Sequence, residues 1–97
     1  MNRVIIEPGE NSNLLATTVQ EAIEHERQLL KHSLDRVQEE LAQFEEKFGE
    51  RSAGFFAKYE DGLLGDADDY IDWAGLYRIF QKLRKKLSEL ERVEVVA

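Results

Sequence analysis

The stretch that decides the fold is LATTVQEAIEHERQLLKHSLDRVQEELAQFEEKF, residues 15–48. It contains neither glycine nor proline, and most of its residue types favour helix. Large apolar residues recur in steps of three and four, which is the spacing of a helical seam. The seam residues are Ile23, Leu30, Leu34, Val37, Leu41, Phe44 and Phe48. We therefore predict one long amphipathic helix over 15–48.

Both ends of this helix carry local signals. Thr17 or Thr18 can serve as the N-cap, with Glu21 completing a capping box after Thr18. Gly49 is a natural stop, because glycine tolerates the left-handed conformation that ends many helices. Arg27 occupies a seam position, where it marks either a frayed first turn or a polar residue that sets the register.

A second long helix is predicted over residues 66–93. Its apolar residues step by three and four in the same way, and they are Trp73, Leu76, Phe80, Leu83, Leu87 and Leu90. Asp66 is a suitable N-cap, and Asp68 and Asp69 fall in the first turn, where the helix dipole favours negative charge.

The connection between the two helices, residues 49–65, is too long for a tight turn. Ser52 can cap a short helix that carries Phe55, Phe56 and Tyr59 and ends at Gly62. A connection of this length lets the chain return, so the long helices should lie antiparallel. The predicted fold class is all-α: a long antiparallel helical hairpin with a short connecting helix.

The predicted domain organisation has three parts: an extended N-terminal arm over 1–14, the hairpin over 15–93 and a C-terminal tail over 94–97. Pro8 and Gly9 indicate a turn in the arm. Residues 3–7 and 93–96 are rich in β-branched side chains, which favour strands. These two segments either stay unpaired or form a two-stranded ribbon, within one chain or between two chains.

More apolar residues are present than one shared seam can use. Those off the seam are Val19, Leu29, Ile71, Ala74, Tyr77 and Ile79. Two facing helices cannot cover so wide a surface, so we predict a homo-oligomer, specifically a dimer that forms a helical bundle; a different protein could cover the same surface. The seam residues Leu30, Leu34, Val37, Leu41, Phe44, Phe80, Leu83, Leu87 and Leu90 are candidates for the oligomer contact.

Charges beside the seams favour pairing of the two helices. Acidic residues flank the first seam (Glu24, Glu26, Glu40 and Glu45), whereas Arg84 and Lys86 flank the second. Exposed pairs of this kind contribute at most about 1 kcal/mol each.

The composition limits the classes of partner. The 97 residues carry a formal net charge of −7, which disfavours binding to nucleic acid. The basic run 78–92 is best explained as a solvated helix face, although it leaves a nucleic-acid-binding regulator as an alternative. The sequence has no cysteine, no membrane-spanning run and no signal-peptide pattern, so we expect a cytoplasmic protein with no membrane partner.

No catalytic, metal or cofactor site is predicted. The aspartates from Asp61 to Asp72 do not form an EF-hand loop, because Tyr70 and Ile71 occupy the fifth and sixth positions counted from Asp66. His25 and His32 are seven residues apart on the solvent side of the first helix, and they lack a zinc-binding motif. Because no nucleophile or phosphate-loop motif is present either, we expect a protein that is not an enzyme.

An aromatic cluster follows the first helix. Its members Phe55, Phe56, Tyr59, Tyr70, Trp73 and Tyr77 either close the end of the bundle as a local core or form a hot spot for a protein partner. We treat all six as candidates for protein interaction.

Four short motifs carry a family resemblance: FEEKFG at 44–49, FF at 55–56, DGLLGD at 61–66 and DYIDW at 69–73. This block resembles a group of small prokaryotic helical-hairpin proteins that are antitoxin-like. The resemblance covers about a third of the chain and implies no catalytic residue. It implies a protein-binding module that covers a basic toxin. The alternative is a structural coiled-coil protein with no toxin partner.

Overall fold

The computed structural model of the chain describes residues 3–7, 9 and 12–96. This part is mostly helical, and helices α1 and α3 pack together, as predicted. The elements are β1 (Arg3–Ile5), α1 (Ser12–Phe48), α2 (Ser52–Glu60), α3 (Asp68–Glu91) and β2 (Glu94–Val96).

Helix α1 begins three residues before the predicted start. The hydroxyls of Thr17 and Thr18 donate hydrogen bonds to the carbonyl oxygens of Asn13 and Leu14, each at 2.9 Å. These are bonds of the helix interior, so the predicted threonine cap and its capping box are wrong. The helix also runs through Arg27, which removes the frayed-turn explanation for that residue. Gly49 follows the helix at φ +65°, as its role as a stop requires.

Helix α3 is shorter at both ends than predicted. It begins at Asp68, and the residue before it is Ala67, which makes no side-chain capping bond. The prediction of Asp66 as the N-cap is therefore wrong, whereas Asp68 and Asp69 lie in the first turn as expected. The helix ends at Glu91, two residues before the predicted end.

The core lies between α1 and α3. Leu30, Leu34, Val37 and Leu41 of α1 are buried, each between 5% and 8% exposed. The seam residues of α3 beyond Ala74 are half-buried. The principal extents are 60 × 23 × 17 Å, which is one layer of helices and leaves no second layer behind the seam. A core of this shape is open along its length, because each helix is covered on one side only.

Helix α2 is held by a residue of α1. The prediction of Ser52 as the cap of α2 is wrong, because Arg51 is the N-cap and Ser52 is the first residue of the helix. The backbone N–H of Ser52 donates to Oε2 of Glu45 at 2.8 Å. Glu45 therefore satisfies a free backbone donor at the start of α2 from seven residues away. Its negative charge also complements the helix dipole.

Replacing Glu45 by alanine should lower the free energy of unfolding by about 1–2 kcal/mol, because it removes this capping acceptor. Urea unfolding followed by circular dichroism measures the change. The matched control is Glu46→Ala, next along the helix and exposed, which should change stability by no more than about 0.5 kcal/mol. Equal losses for the two variants would contradict the capping role.

The two strands pair with each other within one chain, and they run parallel. Arg3 lies opposite Glu94, Val4 opposite Val95 and Ile5 opposite Val96. The N–H of Ile6 donates to the carbonyl of Val96 at 2.6 Å, and Arg3 pairs with Glu94 at 3.4 Å. Parallel strands need a long crossover connection, and here the three helices supply it. Three predicted features lie partly or wholly outside the described residues. They are the turn at Pro8 and Gly9, the end of the N-terminal arm and the last residue of the C-terminal tail.

Candidate protein-interaction surface

Trp73 is the centre of the aromatic cluster. Its side chain is 0% exposed and stacks on Phe55, with ring centroids 3.8 Å apart and planes inclined by 5°. Phe44 and Phe48 of α1 stack against the same indole, at 5.7 and 5.4 Å. The indole N–H donates to Oγ of Ser52 at 2.9 Å, which satisfies the buried donor.

This geometry assigns Phe55 and Trp73 to the core. Both are fully buried, so these two interaction candidates offer no surface to a partner, and the local-core interpretation applies to them. The sequence separates Ser52 from Trp73 by 21 residues, and no local signal indicated their hydrogen bond.

The other four aromatic candidates are half-buried: Phe56, Tyr59, Tyr70 and Tyr77. Their rings mainly contact one another and the core. Tyr77 lies between Phe56 at 5.0 Å and Phe80 at 5.7 Å, and the Arg78 guanidinium lies 5.4 Å from the Phe56 ring. Their exposed edges leave a smaller aromatic surface than the sequence suggested.

One side of the α1–α3 layer is more apolar than the other, and we call the surface on that side the lateral face. It consists of two adjoining grooves of about 380 and 410 Å³. The residues that line them are Glu26, Leu30, Ile79, Lys82, Leu83, Lys85, Lys86, Glu89, Leu90 and Val93. Ile79 is 50% exposed there, so a large apolar side chain lies open to water at one end of the two grooves.

Helix α1 extends the lateral face along its length. Leu29 lies three residues after Glu26 and is 49% exposed. Ala22 and Leu15 precede Leu29 by seven and fourteen residues, and they therefore lie on nearly the same side of the helix. Leu15 is also exposed. This heptad-spaced stripe is the signal in the sequence that indicates the face, and only Leu29 of the three was among the predicted off-seam residues.

The opposite side of the layer is more polar. A groove of about 520 Å³ on that side is lined by Leu34 and Leu87 together with six polar or charged residues, namely Lys31, Asp35, Gln38, Arg84, Ser88 and Glu91. The two sides of the layer therefore differ, and the surplus of exposed apolar side chains belongs mainly to the lateral face.

Most of the predicted off-seam apolar residues are exposed or half-buried. Leu29, Ile71 and Ile79 are exposed, and Val19 and Tyr77 are half-buried. The prediction that Ala74 lies off the seam is wrong, because Ala74 is fully buried and belongs to the core beside Trp73.

The ion pairs of the described chain do not bridge the predicted seam flanks. They join Arg3 to Glu94, Arg27 to Glu24, Lys47 to Asp69, Lys58 to Glu50 and Arg78 to Glu60. Within residues 12–96 none joins the flanking acids of α1 to Arg84 or Lys86, so the predicted attraction across the seam forms no direct contact.

The titration of Glu24 is clearly shifted. A hydrogen bond from Gln28 is the main cause that lowers the pKa of Glu24. Desolvation acts in the opposite direction, and the charges of Arg27 and Lys31 lower the pKa further. Glu24 lies outside the lateral face, and its pKa shift has a local cause within one helix.

The described residues carry neither a metal-binding nor a membrane-spanning arrangement. His25 and His32 are exposed, and no group of three histidine, aspartate or glutamate side chains among these residues is arranged to bind a metal ion. Among the helices described, none combines the length and apolar character needed to cross a bilayer.

Comparisons of the chain with protein-family models, with curated proteins and with solved structures found no match. Its function must therefore be inferred from the lateral face and the charge of the chain.

Proposed function

We propose that the chain is a non-enzymatic protein-binding module. Its long helices form an antiparallel hairpin that pairs with a second copy as a helical bundle, and it acts as the antitoxin-like member of a toxin–antitoxin pair. The observation that carries the protein-binding role is the lateral face, where Leu29 and Ile79 are about half exposed on neighbouring helices. Extended apolar surfaces of this kind mark sites of protein association.

The contacts between α1 and α3 support the antiparallel arrangement. The C-terminal residue of α1, Phe48, contacts Tyr70 in the first turn of α3, with ring centroids 5.5 Å apart. Leu30, nearer the start of α1, lines one groove with Leu90 at the end of α3. These are the contacts that an antiparallel hairpin would make.

The charge of the chain favours a basic partner. The net charge of −7 attracts a positively charged protein and speeds the encounter with it. The family resemblance of residues 44–77 suggests that this partner is a small toxin. The apolar surface would supply affinity, and the acidic surface would supply selectivity and association rate.

Sedimentation velocity across the micromolar range tests the self-association. We expect a dimer that dissociates on dilution. A folded single-chain species at every concentration would contradict it, and that result would leave binding to another protein as a separate question.

Co-expression tests the antitoxin-like role. The chain is produced with the protein encoded by the adjacent reading frame, if that protein is small and basic. We expect the two to co-purify in defined stoichiometry and the chain to relieve growth inhibition by its neighbour. Absence of both effects would remove the antitoxin-like role.

The alternative is a structural coiled-coil protein. The heptad-spaced stripe of Leu15, Ala22 and Leu29 favours it, because such stripes are typical of helix–helix association. It predicts self-association without any effect of the neighbouring protein, so the two experiments together distinguish the alternatives.

A further inference from the structure

We propose that the lateral face is covered by a second copy of the chain, related by a two-fold axis parallel to the helices, so that α1 of one copy lies on α3 of its partner. This inference rests on the self-association proposed above. It adds which face is buried, which symmetry relates the copies and which charged residues select that symmetry.

The size of the face suits such a dimer. Helix α3 has 24 residues. At 1.5 Å per residue a helix of that length is about 36 Å long, and two helices packed side by side are about 20 Å wide. The face therefore offers about 700 Å² per copy, close to the roughly 800 Å² that each partner contributes to a stable interface. Since only one side of the layer is strongly apolar, two copies would close on each other and not extend into a filament.

Two closed arrangements of the layers are available. A two-fold axis that lies between the two layers and runs perpendicular to the helices places α1 on the partner's α1 and α3 on the partner's α3. An axis along the helices places α1 on the partner's α3. The distribution of charge distinguishes them.

The charges on the lateral face differ between the two helices. Helix α1 contributes Glu26 and also Glu40, which lies eleven residues or about three turns after Leu29, with Arg36 at the edge. Lys47 lies on the same side about five turns after Leu29, and its charge is paired with Asp69 of the same chain. Helix α3 contributes Lys82, Lys85 and Lys86 against Glu89. Stacking α1 on the partner's α3 places acids over bases, whereas stacking like helices repeats the same sign. Like charges in contact are unfavourable, so the axis along the helices is preferred.

The charged residues Glu40 and Lys82 provide a test of this arrangement. Leu41 and Phe80 line the same groove, and the proposed helices run in opposite directions, so Glu40 lies at a level between Ile79 and Lys82. Under the proposed axis Glu40 lies within about one turn of both Ile79 and Lys82 of the partner copy. Glu40 and Lys82 are both exposed, and neither is in an ion pair of the described chain. Reversing either charge therefore breaks no ion pair within one chain.

The test uses charge reversal at these two positions and sedimentation velocity. Glu40→Lys alone and Lys82→Glu alone should each raise the dimer dissociation constant roughly tenfold, because the two-fold axis repeats each unfavourable contact. An equimolar mixture of the two variants should associate as tightly as the wild type. In the mixed dimer the lysine introduced at position 40 of one chain meets the glutamate introduced at position 82 of the other. The matched control is Asp35→Lys, exposed on α1 and lining the groove on the opposite side of the layer, which should change nothing.

Each outcome decides the proposal. Rescue in the mixture supports it, because a contact within one chain cannot be restored by mixing. A dimeric wild type whose variants associate unchanged, or whose mixture is not rescued, overturns this geometry and leaves self-association standing. A single-chain wild type overturns both.

A second measurement covers variants that fold poorly. Because the chain has no cysteine, the proteins Glu40→Cys and Ile79→Cys can be tagged differently, mixed and oxidised. The proposal expects the mixed disulfide to form faster than either disulfide between identical chains. Preferred formation of the Glu40→Cys self-disulfide would show α1 lying on α1 and would overturn it.

Discussion

Replacing Trp73 by alanine is expected to lower the free energy of unfolding by about 3–5 kcal/mol. The buried side chain contacts rings from both α1 and α2, so its removal leaves a cavity where three helices meet. The change also removes the donor to the buried Ser52, and an unpartnered buried polar group adds to the cost. Domains of this size have only about 5–15 kcal/mol of stability, so the variant should be partly unfolded at moderate temperature.

The measurement is urea unfolding followed by far-ultraviolet circular dichroism, because the variant lacks the tryptophan that fluorescence would use. Protein concentration must be held constant, since self-association would add to apparent stability. The control Leu63→Ala changes a side chain that is 71% exposed and should cost no more than about 0.5 kcal/mol. A loss below about 1 kcal/mol for the tryptophan variant would contradict its central place in the core.

The substitution Ile79→Glu is expected to abolish self-association at micromolar concentration while leaving the folded chain helical. Burying a fully exposed isoleucine contributes about 1.5–3 kcal/mol, so covering the exposed half of Ile79 contributes about half of that, and a two-fold interface contains the residue twice. The loss of about 1.5–3 kcal/mol corresponds to a rise of about 10–10² in the dissociation constant. The introduced carboxylate adds the further cost of a buried charge.

Leu63→Glu is the matched control. Leu63 is a large apolar residue outside α1 and α3, and it is 71% exposed, compared with 50% for Ile79. It lines neither groove of the lateral face, so its substitution should leave the dissociation constant unchanged. Equal effects of the two substitutions in sedimentation velocity would show that general hydrophobicity, and not the lateral face, controls association.

The local signals of the sequence predicted the helices well. The heptad spacing of Leu30, Leu34, Val37 and Leu41 identified residues that the structure buries. Gly49 ends α1 where expected, because the left-handed backbone conformation that stops the helix depends on this single residue. The capping predictions for Thr18 and Asp66 were wrong, because α1 begins before Thr18 and α3 begins after Asp66. Several neighbouring residues can start each helix, and the sequence alone does not decide among them.

The sequence by itself determined that the chain forms long amphipathic helices. The reason is that the spacing of apolar residues and the position of glycine determine backbone conformation within a few residues. Only the tertiary structure decided that Glu45, Ser52 and Trp73 meet in one network and that the two terminal strands run parallel. It also decided which apolar residues are covered, placing Ala74 in the core and leaving Ile79 on the lateral face. The physical reason is that these outcomes depend on how whole helices pack, and packing joins residues whose separation along the chain carries no local pattern.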